Sequence, residues 1–288
     1  MPDLLATTWT TCGDAVPKPG RHRSPLEFPE RIAAAAAAGF VGFDLLGLDV
    51  AHWCQTRPLA ELQRLLDDHG MRWRQMEFLA DWFLPAGPRR TASDADRALL
   101  LDAAAALGAD NIKIGGDTVS LAPPDLDRWA AELFILADEA AARGLVLSFE
   151  FLPYFSNVPD LASTVALVER TGHPAARICL DIWHVERSAT TMAQVAALPA
   201  SLIGCVELSD ATRQLVGDPY DDTCDRRRYP GRGEFAVVDF IHAVAATGWR
   251  GPWGVEILAA DHRSRPLAQS LPEVVSSTRA AFTQAGVA

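Results

Sequence analysis

Apolar and polar positions follow two different periods along the chain. Eight short apolar runs have the length and composition of β-strands. They lie at residues 4–9, 41–45, 72–79, 111–114, 145–150, 178–181, 202–208 and 252–257. Segments with the helical period lie between and after them, at about 27–38, 58–69, 92–107, 124–143, 160–171, 190–198, 236–247 and 269–285. Strands that alternate with helices of this length form βαβ units around a parallel sheet.

Glycines mark the boundaries of these units. Six of them follow a helical pattern and precede a strand, where a positive φ is favoured: Gly39, Gly70, Gly108, Gly144, Gly172 and Gly248. Because eight βα units close a barrel whereas five or six leave an open sheet, the sequence predicts an α/β fold, a single (β/α)8 TIM barrel over residues 1–288. Residues 211–233 are one long irregular segment after the seventh strand. We expect this insertion on the face where such barrels carry active sites.

Composition narrows the function classes. The chain is 49% hydrophobic and has a formal net charge of −11 without a basic stripe, so we expect no nucleic-acid partner. Its apolar runs are shorter than the roughly 20 residues of a membrane span, and its start resembles no secretory signal. The five cysteines are scattered without a CxxC motif, which fits a reducing compartment. We therefore expect a cytoplasmic protein that does not bind membranes.

Acidic residues end the later strands. Glu150, Asp181, Glu207 and Glu256 close strands five to eight, and barrel closure would bring them around one axis. Unpaired carboxylates so close together repel one another and raise each other's pKa. A divalent cation removes that conflict, and oxygen ligands favour Mn2+ or Mg2+ over Zn2+. We expect one such metal site; the alternative is that each acid caps a helix or pairs with an arginine.

Four motifs resemble the sugar phosphate isomerase/epimerase superfamily, the xylose isomerase-like TIM barrels of the AP endonuclease 2 family. In order they are SFE at 148–150, LDIWH at 180–184, PGRGEF at 230–235 and GVE at 254–256. The resemblance covers almost the whole chain and implies that Glu, Asp, His and Glu bind the metal ion.

One position departs from that ligand set. Glu150, Asp181 and Glu256 match it, but Glu207 occupies the position of the histidine, three residues before Asp210. Glu207 either binds the metal, which leaves a net charge of about −2 around a divalent ion, or pairs with an arginine of the insertion. The position of Glu207 in the motif favours the first alternative, a metal ligand.

The resemblance also implies a reaction, in which the metal polarises a carbonyl and stabilises an enediolate while two glutamates serve opposite faces of a small polyol. By position these catalytic glutamates are Glu150 and Glu256. The sequence therefore predicts an isomerase or epimerase of a sugar, keto-sugar or cyclitol. A lyase that dehydrates a keto-cyclitol or a 3-dehydroshikimate-like acid is the alternative, since it begins with the same proton removal. A nuclease of the endonuclease IV type and a non-enzymatic sugar-binding barrel are more remote.

Four further residues are candidates for the site. Lys113, one of two lysines in the chain, is predicted to contact substrate or to protonate a leaving hydroxyl. His184 is predicted to contact substrate, as the resemblance implies, and Glu77 to orient substrate hydroxyls or to pair with an arginine. Arg227 is predicted to bind an anionic or hydroxyl group of the substrate, although a run of arginines is commonly a solvated face. The sequence leaves open a homodimer formed through exposed helices.

Overall fold

The computed structural model describes residues 1–287, and its centre is a closed barrel of eight parallel strands. The strands are β1 Leu4–Ala6, β2 Gly42–Leu46, β3 Trp73–Leu79, β4 Asn111–Gly115, β5 Val146–Glu150, β6 Ala176–Asp181, β7 Ile203–Leu208 and β8 Trp253–Val255. The ring closes because Ala6 pairs with Phe43 of β2 on one side and with Val255 of β8 on the other. The predicted (β/α)8 barrel is confirmed. The assignment of residues 1–288 to one domain stays a prediction, and Ala288 lies outside the described residues.

Helices surround the barrel and also follow several strands directly. They are α1 Thr8–Thr11, α2 Phe28–Ala38, α3 Gly47–Trp53, α4 Leu59–Asp68, α5 Pro88–Leu107, α6 Leu126–Ala141, α7 Leu161–Thr171, α8 Ile182–Arg187, α9 Met192–Ala196, α10 Pro219–Asp225, α11 Val237–Ala246, α12 Ala260–Arg263 and α13 Leu267–Gln284. Each of the eight predicted helical segments corresponds to one of them. The sequence missed α1, α3, α8, α10 and α12, because four to seven residues are too few to show the helical period. Within residues 1–287, no helix combines the length and apolarity needed to cross a bilayer.

The first and last strands are shorter than predicted. β1 ends at Ala6 and β8 at Val255. Beyond these residues, threonine side chains form hydrogen bonds with backbone groups in place of the backbone–backbone hydrogen bonds of the sheet. The Thr10 hydroxyl donates to the Val255 carbonyl at 2.7 Å and accepts from the Ile257 N–H at 2.8 Å. The chain therefore turns into α1 without leaving buried backbone groups unpaired.

The two faces of the strands differ in chemistry. Successive strand residues point in opposite directions, and in β4 the outward pair Ile112 and Ile114 belongs to the apolar core between strands and helices. The inward residues are polar: Ser148 donates to Asn111 at 3.2 Å, and Gln75 donates across the barrel to Glu207 at 3.1 Å. Barrel interiors are more commonly filled by Val, Ile and Leu. This barrel therefore keeps its hydrophobic core outside the strands and polar groups inside.

The boundary glycines adopt the predicted backbone conformation. All six have positive φ, between 64° and 100°, and the Gly39 N–H donates to the carbonyl oxygens of the preceding turn. A side chain at such a position would be strained, so these glycines end the helices and direct the chain into the next strand.

The insertion at residues 211–233 contains more secondary structure than the sequence indicated. It contains α10 and an antiparallel bridge between Asp210 and Arg228. Arg187 of α8 anchors it by donating to the carbonyls of Thr212 and Arg213 at 2.8 and 2.7 Å. Outside α10 and the isolated bridges, residues 211–233 form turns and irregular structure that side-chain contacts hold in place.

Asp210 holds the end of the insertion. Its carboxylate accepts four backbone N–H groups, from Ala211, Gly231, Gly233 and Phe235, at 2.8 to 3.0 Å. A Cβ at Gly233 would lie 2.2 Å from Asp210 Oδ1, so this close approach requires glycine. Burial raises the pKa of Asp210, although the four N–H groups oppose that shift. The acid three residues after Glu207 is thus a loop anchor.

Candidate active site

Four carboxylates meet at the C-terminal end of the barrel. Glu150 ends β5, Asp181 ends β6, Glu207 lies in β7 and Glu256 follows β8. One oxygen of each lies within 4.8 Å of an oxygen of every other, and all four side chains are buried. The sequence predicted this convergence from the positions of these residues in their strands, and the structure brings them together.

Lys113 of β4 neutralises one side of this cluster. Its Nζ lies 3.0 Å from Glu207 Oε1, 3.1 Å from Glu256 Oε1 and 2.7 Å from Glu77 Oε2. Burial alone would lower the pKa of Lys113, but the surrounding carboxylates outweigh it and raise the pKa well above its usual value. Lys113 is therefore a fixed cation inside the barrel. Glu207 and Glu77 pair with this lysine, so the arginine partners offered as alternatives for both are not the ones found.

Arg227 neutralises the opposite side. Its Nη1 lies 2.7 Å from Asp181 Oδ2 and 3.0 Å from Glu256 Oε2, and the Thr223 hydroxyl accepts from the same guanidinium at 3.0 and 3.3 Å. Burial would lower the pKa of Arg227, but Asp181 and Glu256 outweigh it and raise the pKa. The guanidinium lies 5.6 Å from the ring centroid of Trp183. Of the three consecutive arginines, this one reaches the site.

His184 lies against the same carboxylates. Its Nε2 is 3.2 Å from Glu150 Oε1 and 3.3 Å from Asp181 Oδ2, and Asp181 also caps α8 by accepting the Trp183 N–H at 2.8 Å. Within residues 1–287 the buried Nδ1 of His184 has no hydrogen-bond partner. A nitrogen beside two carboxylate oxygens donates, so Nε2 carries a proton and Nδ1 remains available to a substrate group.

Glu150 and Glu207 have pKa values that are shifted in opposite directions. Burial would raise the pKa of Glu150, but Lys113 and the hydrogen bond from His184 outweigh it and lower the pKa below its usual value. For Glu207, burial and the charge of Glu256 prevail over Lys113 and raise the pKa well above its usual value. Glu150 is thus the acid of this pair that the protein itself keeps ionised.

Sequence reasoning missed Asp44, which lies beside Glu77 on the inner face of the barrel. The Asp44 carboxyl group is fully buried, and its Oδ2 accepts the Thr8 N–H at 3.1 Å. Burial, followed by the charge of Glu77, raises the pKa of Asp44 well above its usual value. The raised pKa favours the protonated form of Asp44. The sequence signal for this residue is an acid, Asp44, within the otherwise apolar strand GFDLL.

The structure also brings two cysteines together that looked scattered. Cys179 and Cys205 are opposite each other in the β6–β7 register, and the Cys179 thiol donates to Glu207 Oε2 at 3.6 Å. Both are free. Burial and the neighbouring Cys205 raise the pKa of Cys179 well above its usual value, which disfavours the thiolate that a soft metal needs.

The carboxylate set fits a hard divalent cation. Metal–oxygen bonds of about 2.1 Å put opposite ligands of an octahedron about 4.2 Å apart, which agrees with four oxygens within 4.8 Å of one another. Lys113 and Arg227 would offset the charge of about −2 that four carboxylates leave around a divalent ion, while Glu77 adds one negative charge. Glu150, Asp181 and His184 form an overlapping group that could also bind a metal ion.

The fold is that of a known class of barrels. The chain belongs to the xylose isomerase-like TIM barrel family, whose sequence model matches residues 32–278. The IOLI protein, solved with a binding zinc atom, has the same fold: its TM-score is 0.80 at 12% identity, over 98% of this chain and 97% of that one.

Two sequence relatives carry names for different reactions. A 3-dehydroshikimate dehydratase of Pseudomonas putida (strain KT2440) is 26% identical over 250 residues, which are 86% of this chain and 39% of the dehydratase. The chain thus spans about two fifths of the length of that relative. A Streptomyces coelicolor protein provisionally named a hydroxypyruvate isomerase is 30% identical over 274 residues, 88% of this chain and 92% of that protein. Relatives within the family therefore include enzymes of more than one reaction type.

Proposed function

We propose that the protein is a divalent-metal-dependent isomerase or epimerase of a small sugar, keto-sugar or cyclitol. The observation that supports this most is the convergence of Glu150, Asp181, Glu207 and Glu256 at one buried point. These four residues would hold the ion. When bound, it would polarise a substrate carbonyl and stabilise the negative charge that develops as the neighbouring carbon loses its proton.

Glu150 and Glu256 are the proposed groups for proton transfer. Glu150 is suited to accept a proton from substrate carbon because His184 and Lys113 keep it ionised, as the direction of its pKa shift indicates. Glu256 contacts both cations of the site, Lys113 at 3.1 Å and Arg227 at 3.0 Å. One glutamate would take the proton and the other would return it, which inverts a centre or moves the carbonyl.

The remaining site residues would bind and orient the substrate. His184 Nδ1 is a buried polar atom without a partner among residues 1–287, so a substrate hydroxyl would complete its hydrogen bonding. Glu77 Oε1 is likewise unpartnered in that part of the chain. Lys113 and Arg227 would place positive charge beside the substrate oxygens and hold the carboxylates in position.

A dehydratase is the second candidate, and the Pseudomonas relative supports it. The same proton removal would be followed by loss of a hydroxyl from the next carbon, and that hydroxyl would need a proton. Lys113, whose ammonium contacts three carboxylates, is the proposed donor.

A substrate screen tests both candidates. Ketoses, cyclitols and keto acids, with hydroxypyruvate and 3-dehydroshikimate among them, are incubated with the protein plus Mn2+ or Mg2+ and, separately, after chelation. An isomeric product supports the isomerase, and a conjugated product that absorbs ultraviolet light supports the dehydratase.

The matched variants are Glu150→Gln and Glu169→Gln, since Glu169 is an exposed glutamate on α7. Glu150→Gln should lower turnover by about 10²–10⁴-fold, the usual contribution of a general acid or base, and Glu169→Gln should leave turnover unchanged. Activity that withstands both chelation and Glu150→Gln contradicts both candidate reactions.

A further inference from the structure

A cavity beside the carboxylate cluster has the opposite charge. It encloses about 550 Å3 between residues 225–232 and residues 259–265, a volume within the range of about 300–1,000 Å3 typical of small-molecule sites. We call it the arginine cavity, after the side chains that give it its chemistry: Arg226, Arg228, Tyr229, Arg232, His262 and Arg265.

Three guanidinium groups of this cavity form no salt bridge within the described residues. Arg226, Arg228 and Arg232 are exposed, and none of them forms a salt bridge with a carboxylate of residues 1–287. The lining contains two acids. Asp225 is engaged by Lys18 and Arg263, which leaves Asp261 as the unengaged one. A local excess of positive charge within a chain of net charge −11 attracts small anions.

The backbone that carries these arginines is fixed. The Arg228 N–H donates to the Asp210 carbonyl at 2.7 Å, and the Asp210 N–H donates to the Arg228 carbonyl at 2.9 Å. Arg226 forms an antiparallel bridge with Ala259, and Arg232 donates to the Ser277 hydroxyl at 3.3 Å. Because the segment is held at several points, binding an anion requires little ordering of backbone.

The other polar groups of the cavity are engaged within the protein. His262 Nε2 lies 2.8 Å from the Thr10 carbonyl, so Nε2 carries the proton, and the Tyr229 hydroxyl donates to Nδ1 at 3.1 Å. Burial lowers the pKa of His262, in agreement with a neutral ring. Arg265 pairs with Glu273 at 2.5 Å. Arg226, Arg228 and the terminal Nη groups of Arg232 are therefore the donors that remain for a ligand.

We propose that the arginine cavity binds a small organic anion, a phosphate ester or a polycarboxylate, through Arg226, Arg228 and Arg232. The planar fork of a guanidinium matches both phosphate and carboxylate oxygens. Arg227, the member of the run that the sequence singled out, is committed to Asp181 and Glu256, so its neighbours carry the anion. This binding requires neither the metal ion nor turnover, and it therefore stands apart from the proposed reaction.

Calorimetric titration of the protein, at constant ionic strength and without metal, tests the proposal. The probes are inorganic phosphate and citrate, with glycerol as the uncharged control. The variants are the double substitution Arg226→Gln/Arg228→Gln and the single substitution Arg232→Gln. The matched control is Arg64→Gln, since Arg64 is an exposed arginine on α4. Circular dichroism melting of each variant checks that it is folded.

Binding of at least one anion, with a dissociation constant raised tenfold or more in the double variant and unchanged in Arg64→Gln, supports the proposal. Stronger phosphate binding identifies a phosphate ester, and stronger citrate binding identifies a polycarboxylate. As a second measurement, the Nε–H resonances of Arg226 and Arg228 should shift during titration of the wild-type protein. Absence of anion binding, or equal binding by the double variant, overturns the proposal.

Discussion

The carboxylate cluster, formed by Glu150, Asp181, Glu207 and Glu256, lies beside the arginine cavity. The two regions have opposite charges and differ in how those charges are neutralised. In the cluster, two buried cations of the protein, Lys113 and Arg227, pair with the four buried carboxylates and neutralise part of their charge. In the cavity, exposed guanidinium groups have no carboxylate partner among residues 1–287. Burial explains the difference, because an unpaired charge out of water is costly whereas an exposed one is not. The comparison teaches that the first region is partly neutralised by the protein, with a net charge of about −2 left for a divalent ion, whereas the second depends on solvent or a ligand.

Removal of Lys113 should have the largest effect. Lys113→Ala leaves three buried carboxylates without their shared cation, so the free energy of unfolding should fall by about 3–5 kcal/mol. Lys18→Ala is the control, because Lys18 is partly exposed and its pairs with Asp221 and Asp225 should contribute less than about 1 kcal/mol each. Urea denaturation measures both values, and turnover should fall far more for Lys113→Ala. Equal effects of the two substitutions would show that Lys113 has no special role.

The adjacent arginines provide the next test of the comparison. Arg227→Gln removes charged hydrogen bonds to Asp181 and Glu256, so unfolding free energy should fall by about 2–3 kcal/mol. Arg228→Gln removes an exposed side chain and should change stability by less than about 0.5 kcal/mol. Parallel denaturation curves give the difference. Similar losses for both variants would mean that burial does not separate the two regions.

Asp210 links the two regions through the loop that carries the arginines. In Asp210→Asn the side chain keeps one acceptor oxygen and turns an NH2 group towards backbone N–H groups. Unfolding free energy should therefore fall by about 1–2 kcal/mol, and phosphate binding should weaken. Asp68→Asn, at an exposed aspartate of α4, is the control. Thermal melting measures the loss of stability, and phosphate titration measures the change in affinity. An unchanged phosphate affinity would show that Asp210 does not support anion binding in the cavity.

Asp44→Asn should have the smallest effect, confined to pH dependence. Because the folded-state pKa of Asp44 is raised, the folded protein binds a proton that the unfolded chain releases near pH 4. The contribution of Asp44 to stability therefore falls as pH rises above about 4. Asparagine copies the protonated acid, so at pH 4.5 the two proteins should differ by less than about 1 kcal/mol. Denaturation from pH 4.5 to 8 should show stability decreasing less with pH in Asp44→Asn; parallel curves would contradict a raised pKa of Asp44.

The sequence was sufficient for the barrel and for the acids at its rim. Strand and helix periods, with a glycine after six of the eight helical segments, predicted the βα units, and the C-terminal ends of parallel strands lie at one rim of the barrel. Glu150, Asp181, Glu207 and Glu256 could therefore be grouped without knowing any contact.

The partners of these acids could not be read from the sequence. Lys113 and Glu256 are 143 residues apart, and their contact depends on the radius of the closed barrel and on rotamers that only packing determines. That Arg227 points inwards follows from bridges at Asp210 and Ala259, which have no periodic signal. Cys179 and Cys205 lie opposite each other because the pairing register shifts between β6 and β7. The sequence carries no signal for that shift.

Titration of metal-free protein with Mn2+ tests the central claim most directly. We predict one Mn2+ per chain, with a dissociation constant raised by about 10²-fold or more in Asp181→Asn and in Glu150→Gln, because each substitution removes one charged oxygen ligand. Glu169→Gln should bind Mn2+ as the wild-type protein does. Failure to bind a divalent ion, or equal affinity in all four proteins, would contradict a metal site formed by the four carboxylates.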